Sequence, residues 1–261
     1  MHCKNCISTL KASQNYCDEC GAKVIRNRLT PKVLIQQVNE QVLSFDNKLL
    51  STFIDLFKAP ESVIVNYING TRKKYIDVIQ YFAIALTLAG IQVFLMTTFF
   101  KDALEFDFYD SLANSPSQDK NPFKDMNFEI TSNFQGLIYI VSVPFSAFAT
   151  WIVYYILKDR RYNYTEHLVI NLYYSAQIII ISAFGSILFL ILGLNYLYVS
   201  AILTLPTFIY LAYVLKRVFN DSLWETFAKF LLVMVIYLIS YLFVGIILIL
   251  IGLLIGFSSS L

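Results

Sequence analysis

Five long apolar runs constrain this chain more than any other feature. They extend from Val78 to Phe100, Leu137 to Leu157, Leu168 to Leu192, Tyr196 to Leu215 and Phe230 to Phe257. Each meets the roughly 20 residues a helix needs to cross a bilayer's hydrocarbon core. In that medium the backbone amides must be satisfied within the segment, so runs of this length become helices. Composition agrees, because only 15% of the 261 residues are charged and 57% are hydrophobic, where soluble domains carry about a quarter charged residues. The fold class expected is an all-α integral membrane protein with about five transmembrane helices.

The third and fourth runs are separated only by Gly193–Asn195, residue types that tolerate a tight reversal, so a helical hairpin is expected there. Pro144 and Pro206 fall inside the second and fourth runs and are expected to kink them. Basic flanks sit before the first span ("TRKKY"), between the second and third ("KDRRY") and between the fourth and fifth ("LKRV", Lys229). The loop at 101–133 holds seven acidic residues against three basic ones. Cytoplasmic loops are the basic ones, so the N-terminus is expected in the cytoplasm, with the acidic loop and the C-terminus outside. The first run starts far from Met1 behind a polar segment, which is not the pattern of a signal peptide. A net charge of +2 is too small to make nucleic acid the main partner.

All four cysteines lie in the first 20 residues, as the C-x-x-C pairs Cys3/Cys6 and Cys17/Cys20 with ten residues between them. This is the spacing by which two knuckles offer four thiolates to one tetrahedral zinc. Gly21 directly after the last thiol permits the left-handed turn that aims backbone amides at sulfur. The competing readings are two disulfides, disfavoured in the cytoplasm, or a redox dithiol, which lacks its usual strand and helix context. Structural zinc would supply the folding energy that so short a segment lacks. The neighbouring Lys11, Lys23, Arg26 and Arg28 are not interleaved with aromatics as a nucleic-acid surface would require.

The organisation expected is a zinc ribbon at 1–28, amphipathic cytoplasmic or interfacial helices at 29–75, and the five-span domain at 76–261. Within the middle segment, Thr30 and Pro31 start one helix with Val33, Leu34, Val38, Val42 and Phe45 at helical spacing. Asp46 caps a second, which Pro60 ends, and Glu61–Asn69 form a third that stops at Gly70. Residues 1–75 hold eleven Lys or Arg against six acids. Such a segment can lie on an anionic leaflet or dock on the bundle.

The stretch "YINGTRKKYIDVIQYF", preceded by "LSTFIDLFKAPESVIV", resembles the bacterial membrane family called domain of unknown function 3667. Tyr67, Gly70, Arg72, Lys73 and Tyr75 occupy that family's motif positions, whereas Thr71 replaces its usual lysine and Val78 its usual proline. Glu166 and His167 in "YTEHLVINLYY" look like its E-H pair. The resemblance implies a bacterial membrane protein with an N-terminal cysteine ribbon and several spans; the family has no agreed activity, so it implies architecture more than function. Read physically, Gly70 ends a helix, Arg72, Lys73 and Lys74 lie at headgroup level, and Tyr67, Tyr75 and Tyr81 fit an interface belt. Topology anchoring and a contact for a lipid phosphate, involving Gly70, Arg72, Lys73, Lys74 and Tyr75, are the two roles open to this motif.

In the third span His167, Asn171, Tyr174 and Gln177 recur at steps of four, three and three and form one polar stripe, with Glu166 at its start. Such groups bond other helices or line an intramembrane polar site; Gln80 and Gln92 of the first span are candidate partners. No span carries a central Asp, Glu, Lys or Arg, and no catalytic or nucleotide-binding motif is present. No enzymatic activity is therefore expected. The function expected is an interaction, scaffold or regulatory module, in which a membrane-anchored zinc ribbon meets a cytoplasmic protein partner. The alternative is a small-solute or lipid transporter using the stripe.

Overall fold

The structure, a computed structural model, describes residues 2–24, 30, 48–100, 134–194 and 196–259, with the side chains of 196–197 and 243–259 excepted. Two compact units result, Met1–Asp46 and Asn47–Leu261. The acidic loop at 101–133 and the helix expected after Thr30 lie outside the described residues.

The second unit is all helical among the described residues. A helix over residues 48–58 (α1) leads through Ala59 into α2 (Pro60–Ile68), with proline at the first helical position. There follow α3 (Val78–Phe99), α4 (Gln135–Ile156), α5 (Tyr164–Ile191), α6 (Tyr196–Phe219) and α7 (Leu223–Ser259). These last five are long and apolar enough to cross a membrane. At 1.5 Å per residue, the 22 residues of α3 measure about 33 Å, close to the hydrocarbon thickness.

Helix ends follow local signals more closely than hydropathy. α5 begins at Tyr164, four residues before the expected Leu168. Asn163 accepts from the Glu166 N–H at 3.0 Å and Glu166 accepts from the Asn163 N–H at 2.7 Å, a capping box that extends the helix through a polar turn. Ser222 and Glu225 make the same reciprocal pair, starting α7 seven residues before the expected Phe230. α5 closes at Gly193, whose φ of +80° suits the reversal expected there. Pro144 and Pro206 both stay inside continuous helices.

α5 is the hub. It packs along α3, α4 and α6, while α7 lies against α4 and α6. Without a hydrophobic drive between helices in lipid, association rests on close packing and interhelical hydrogen bonds. Buried Ala85 and Ala89 on α3 and Ala176 and Ala183 on α5 let these helices approach. Large apolar side chains such as Phe94, Phe184, Leu188, Leu205 and Ile209 face outward, as lipid contact requires.

The amphipathic α1 and α2 dock on the bundle. Leu56, Val63 and Ile64 are fully buried in one cluster with Tyr173, Val214 and Leu215 of α5 and α6. This resolves the choice between lipid and bundle for residues 48–68. Tyr67, Tyr75 and Tyr81, expected in an interface belt, are instead 6%, 3% and 0% exposed. Each spends its hydroxyl inside the protein, where an unpaired O–H would be costly.

Candidate metal centre and polar groups of the bundle

The cysteines of the first unit form two knuckles with matching backbone hydrogen bonds. In the first, Cys3 N–H donates to the Ser8 carbonyl and Ile7 N–H to the Cys3 carbonyl; in the second, Cys17 N–H donates to Ala22 and Gly21 N–H to Cys17, all at 2.9 Å. Isolated antiparallel bridges, His2 with Thr9 and Tyr16 with Lys23, close each one. The knuckle turn needs a left-handed residue after its second cysteine. Gly21 supplies it at φ +69°, and Ile7 is forced into it at +66°.

This geometry brings the four sulfurs within 4.8 Å of one another. Cys3 and Cys20 approach to 3.6 Å, as do Cys6 and Cys17. A tetrahedral ion with metal–sulfur bonds of about 2.3 Å would separate its sulfurs by about 3.8 Å, so the four fit a metal ion. All four are free thiols. Cys3 and Cys17 are buried against Leu10, Ala22 and Val24, while Cys6 and Cys20 are exposed. The Ser8 hydroxyl lies 3.1 Å from both Cys6 and Cys17 sulfurs. The Ser8 hydroxyl, and after it the backbone N–H of Cys20, pull the Cys17 thiol down to about 6, toward the thiolate that metal binding requires.

In the second unit the stripe on α5 is real, but it divides. His167, Asn171 and Gln177 are almost completely buried. His167 Nδ1 lies 3.1 Å from Thr150 Oγ1 on α4, and Asn171 donates from Nδ2 to the same oxygen at 2.9 Å and to the His167 carbonyl at 2.8 Å. Ser146 of α4 donates to Asn171 Oδ1 at 2.6 Å. The Thr150 hydroxyl also lies within hydrogen-bond distance of the Ala147 carbonyl, at 3.0 Å. Glu166 takes no part and is held by the α5 cap. Tyr174 donates to the Thr207 carbonyl beside Pro206 at 3.3 Å.

Gln177 joins a different group. It accepts from the Tyr81 hydroxyl and donates to the Phe53 carbonyl of α1 at 3.1 Å. Gln80 and Gln92 are not its partners: Gln80 is exposed, one residue round the helix from Tyr81, and Gln92 donates to the Met96 sulfur. The Tyr210 hydroxyl of α6 donates to the Leu56 carbonyl at 3.0 Å, and Tyr213 to Lys58 at 3.0 Å. Leu56 needs that donor because the residue four ahead is Pro60, which has no N–H. Tyr173 donates to the Ile76 carbonyl, Tyr75 to Asp55 and Tyr67 to Asp77, each at 2.8 Å. The motif from Tyr67 to Tyr75 is thus the joint of a clasp, with Gly70 at φ +98°. Arg72, Lys73 and Lys74 stay exposed on it, Arg72 over the Tyr67 ring and Lys74 over Tyr75.

A third group joins the basic flanks to acids of the same loops. Asp159 and Asp221, in the α4–α5 and α6–α7 loops, bind Arg161 and Lys229: Arg161 to Asp159 at 2.6 Å and Lys229 to Asp221 at 2.7 Å, with Tyr154 donating to Asp221. The sequence signal was an acid within each basic flank.

An all-α membrane protein with an N-terminal cluster of four cysteines that could hold a metal ion is the class these features define. Residues 46–90, which hold the clasp from its first helix into α3, match the family described as Protein of unknown function (DUF3667). No curated protein and no solved structure matches the chain.

Proposed function

We propose that this is a membrane-anchored zinc-ribbon protein of a bacterial inner membrane, presenting a metal-stiffened docking knob to a cytoplasmic protein partner as a scaffold or regulator, with no catalytic step of its own. The observation that carries the reading is the closed four-thiol cluster. Four thiolates complete a tetrahedral zinc and leave no position for water or substrate, so the ion stiffens rather than reacts. The knob displays Ile7 and Tyr16, 79% and 60% exposed, on a backbone ordered before any partner arrives, which lowers the ordering cost of binding. The bundle supports an anchoring role, since His167, Asn171, Tyr174 and Gln177 all spend polar atoms on protein partners. Exposed Arg72, Lys73, Lys74, Lys158 and Arg160 have no carboxylate in ion-pair range among the described residues and lie at the helix ends assigned to the cytoplasm.

The test compares detergent-extracted wild type with Cys17→Ser at equal expression, measuring bound metal and identifying co-purifying proteins by quantitative mass spectrometry. About one zinc per chain and a partner lost from the variant alone are expected. A wild type without metal, or identical partner sets from both, overturns the proposal.

A further inference from the structure

At the junction of α4 and α5 the surface holds a niche of about 220 Å³ lined by Trp151, Tyr155, Asp159, Arg160, Tyr162 and Asn163. Its donors are unspent. Asp159 is saturated by Arg161, whose Nε and Nη2 it accepts at 2.9 and 2.6 Å. Arg160 is left without a carboxylate, its guanidinium held 4.4 Å above the Tyr155 ring. A stacked guanidinium keeps its N–H edge free, and that edge matches phosphate oxygens in a bidentate way. Asn163 spends its carbonyl on the α5 cap, which leaves its NH₂ for a second oxygen.

The niche continues into the membrane. Phe148, Trp151 and Tyr155 follow at steps of three and four on α4 and form one stripe. Their rings stand 6.1 and 5.5 Å apart, and Phe148 and Tyr155 are 38% and 45% exposed. Tyr164 braces Trp151 edge-on at 6.1 Å. A phosphate-binding edge at the mouth of an outward-facing aromatic stripe fits a molecule with a phosphate at one end and an acyl chain at the other.

We propose that this niche is a binding site for an anionic phospholipid, with the phosphate on Arg160 and Asn163 and one acyl chain along Phe148, Trp151 and Tyr155. Arg160, the one cation lining the niche, favours a net negative headgroup over a zwitterionic one. The stripe favours a lipid over free phosphate.

Trp151 and Trp224 are the only tryptophans, so Trp224→Phe makes Trp151 the sole indole reporter. The full-length Trp224→Phe protein is reconstituted in vesicles with brominated phosphatidylglycerol or brominated phosphatidylcholine at equal mole fraction, and Trp151 quenching is measured. A preference of about fivefold for phosphatidylglycerol is expected, the effect of about 1 kcal/mol for one interfacial cation. Arg160→Gln should abolish that preference and leave quenching by phosphatidylcholine unchanged. Arg160→Lys, which keeps the charge without the fork, should retain only part of it. Equal quenching by both lipids, or a preference that survives Arg160→Gln, overturns the proposal. Loss of the preference on adding millimolar inorganic phosphate would make the site a phosphate site and overturn the assignment to lipid.

Discussion

Ile7 carries the left-handed backbone that the second knuckle gives to Gly21, and a β-branched residue there is strained. Ile7→Gly should relieve about 1 kcal/mol, part of it offset by the greater freedom of glycine in the unfolded chain. Titration against a chromophoric chelator should show tighter metal retention. Gly21→Ala should do the reverse, by about 1 kcal/mol. A Cβ at Gly21 meets nothing within 4 Å, so that cost is purely conformational. The exposed Ile7 side chain is then separable from its backbone: if Ile7→Gly tightens metal yet weakens partner capture, the side chain is part of the docking face. In the bundle, Tyr210→Phe leaves the Leu56 carbonyl without the donor that Pro60 withholds. It should cost about 1–3 kcal/mol, read as a lower thermal midpoint in detergent. Cysteine spacing and the glycine after Cys20 were legible because a metal knuckle is local. Tyr210 was not, since its partner lies 154 positions away.

At the scale of elements, α5 is tied to α4 by Asn171 and to α1 by Gln177. Asn171→Leu should lower bundle stability by about 0.6–1.7 kcal/mol, the range of interhelical hydrogen bonds in membrane proteins. Thermal denaturation in detergent checks it. If the protein keeps its stability but loses a cellular phenotype, the stripe has a ligand-handling role instead. The ion pairs between segments make a pH prediction. Hydrogen bonding from Arg161 holds the Asp159 carboxyl below its ordinary value, and Arg217 of α6, which donates from Nε to Glu61 of α2 at 2.9 Å, does the same for that carboxyl. A carboxyl depressed in the folded state contributes stability above its unfolded value, near 4, and loses it as pH falls through the folded value. The thermal midpoint should therefore drop in acid below about pH 4, and Asp159→Asn should lower it at neutral pH while flattening that drop. The two capping boxes were legible as N-x-x-E at Asn163 and S-x-x-E at Ser222. They extend helices through polar turns that a hydropathy reading stops short of.

For the molecule as a whole, the two units predict separable responses to metal removal. Chelation should expose Cys3 and Cys17, now buried, to thiol reagents, while circular dichroism of the helices of Asn47–Leu261 stays unchanged. A helix signal that collapses with the metal would show that the knob supports the bundle. The sequence by itself determined the five spans, the four-thiol cluster and the polar stripe, because each rests on period or spacing within one segment. The tertiary structure alone decided that α1 and α2 dock on the bundle, that Tyr67, Tyr75 and Tyr81 are interior donors, and that Asp159 and Asp221 neutralise part of the basic flanks. Those outcomes depend on which segment meets which. An amphipathic face buries the same area against lipid or protein, and the polar side chains of α5 and α6 choose between them: Tyr173, Gln177, Tyr210 and Tyr213 meet carbonyls of the clasp, and Arg217 meets Glu61.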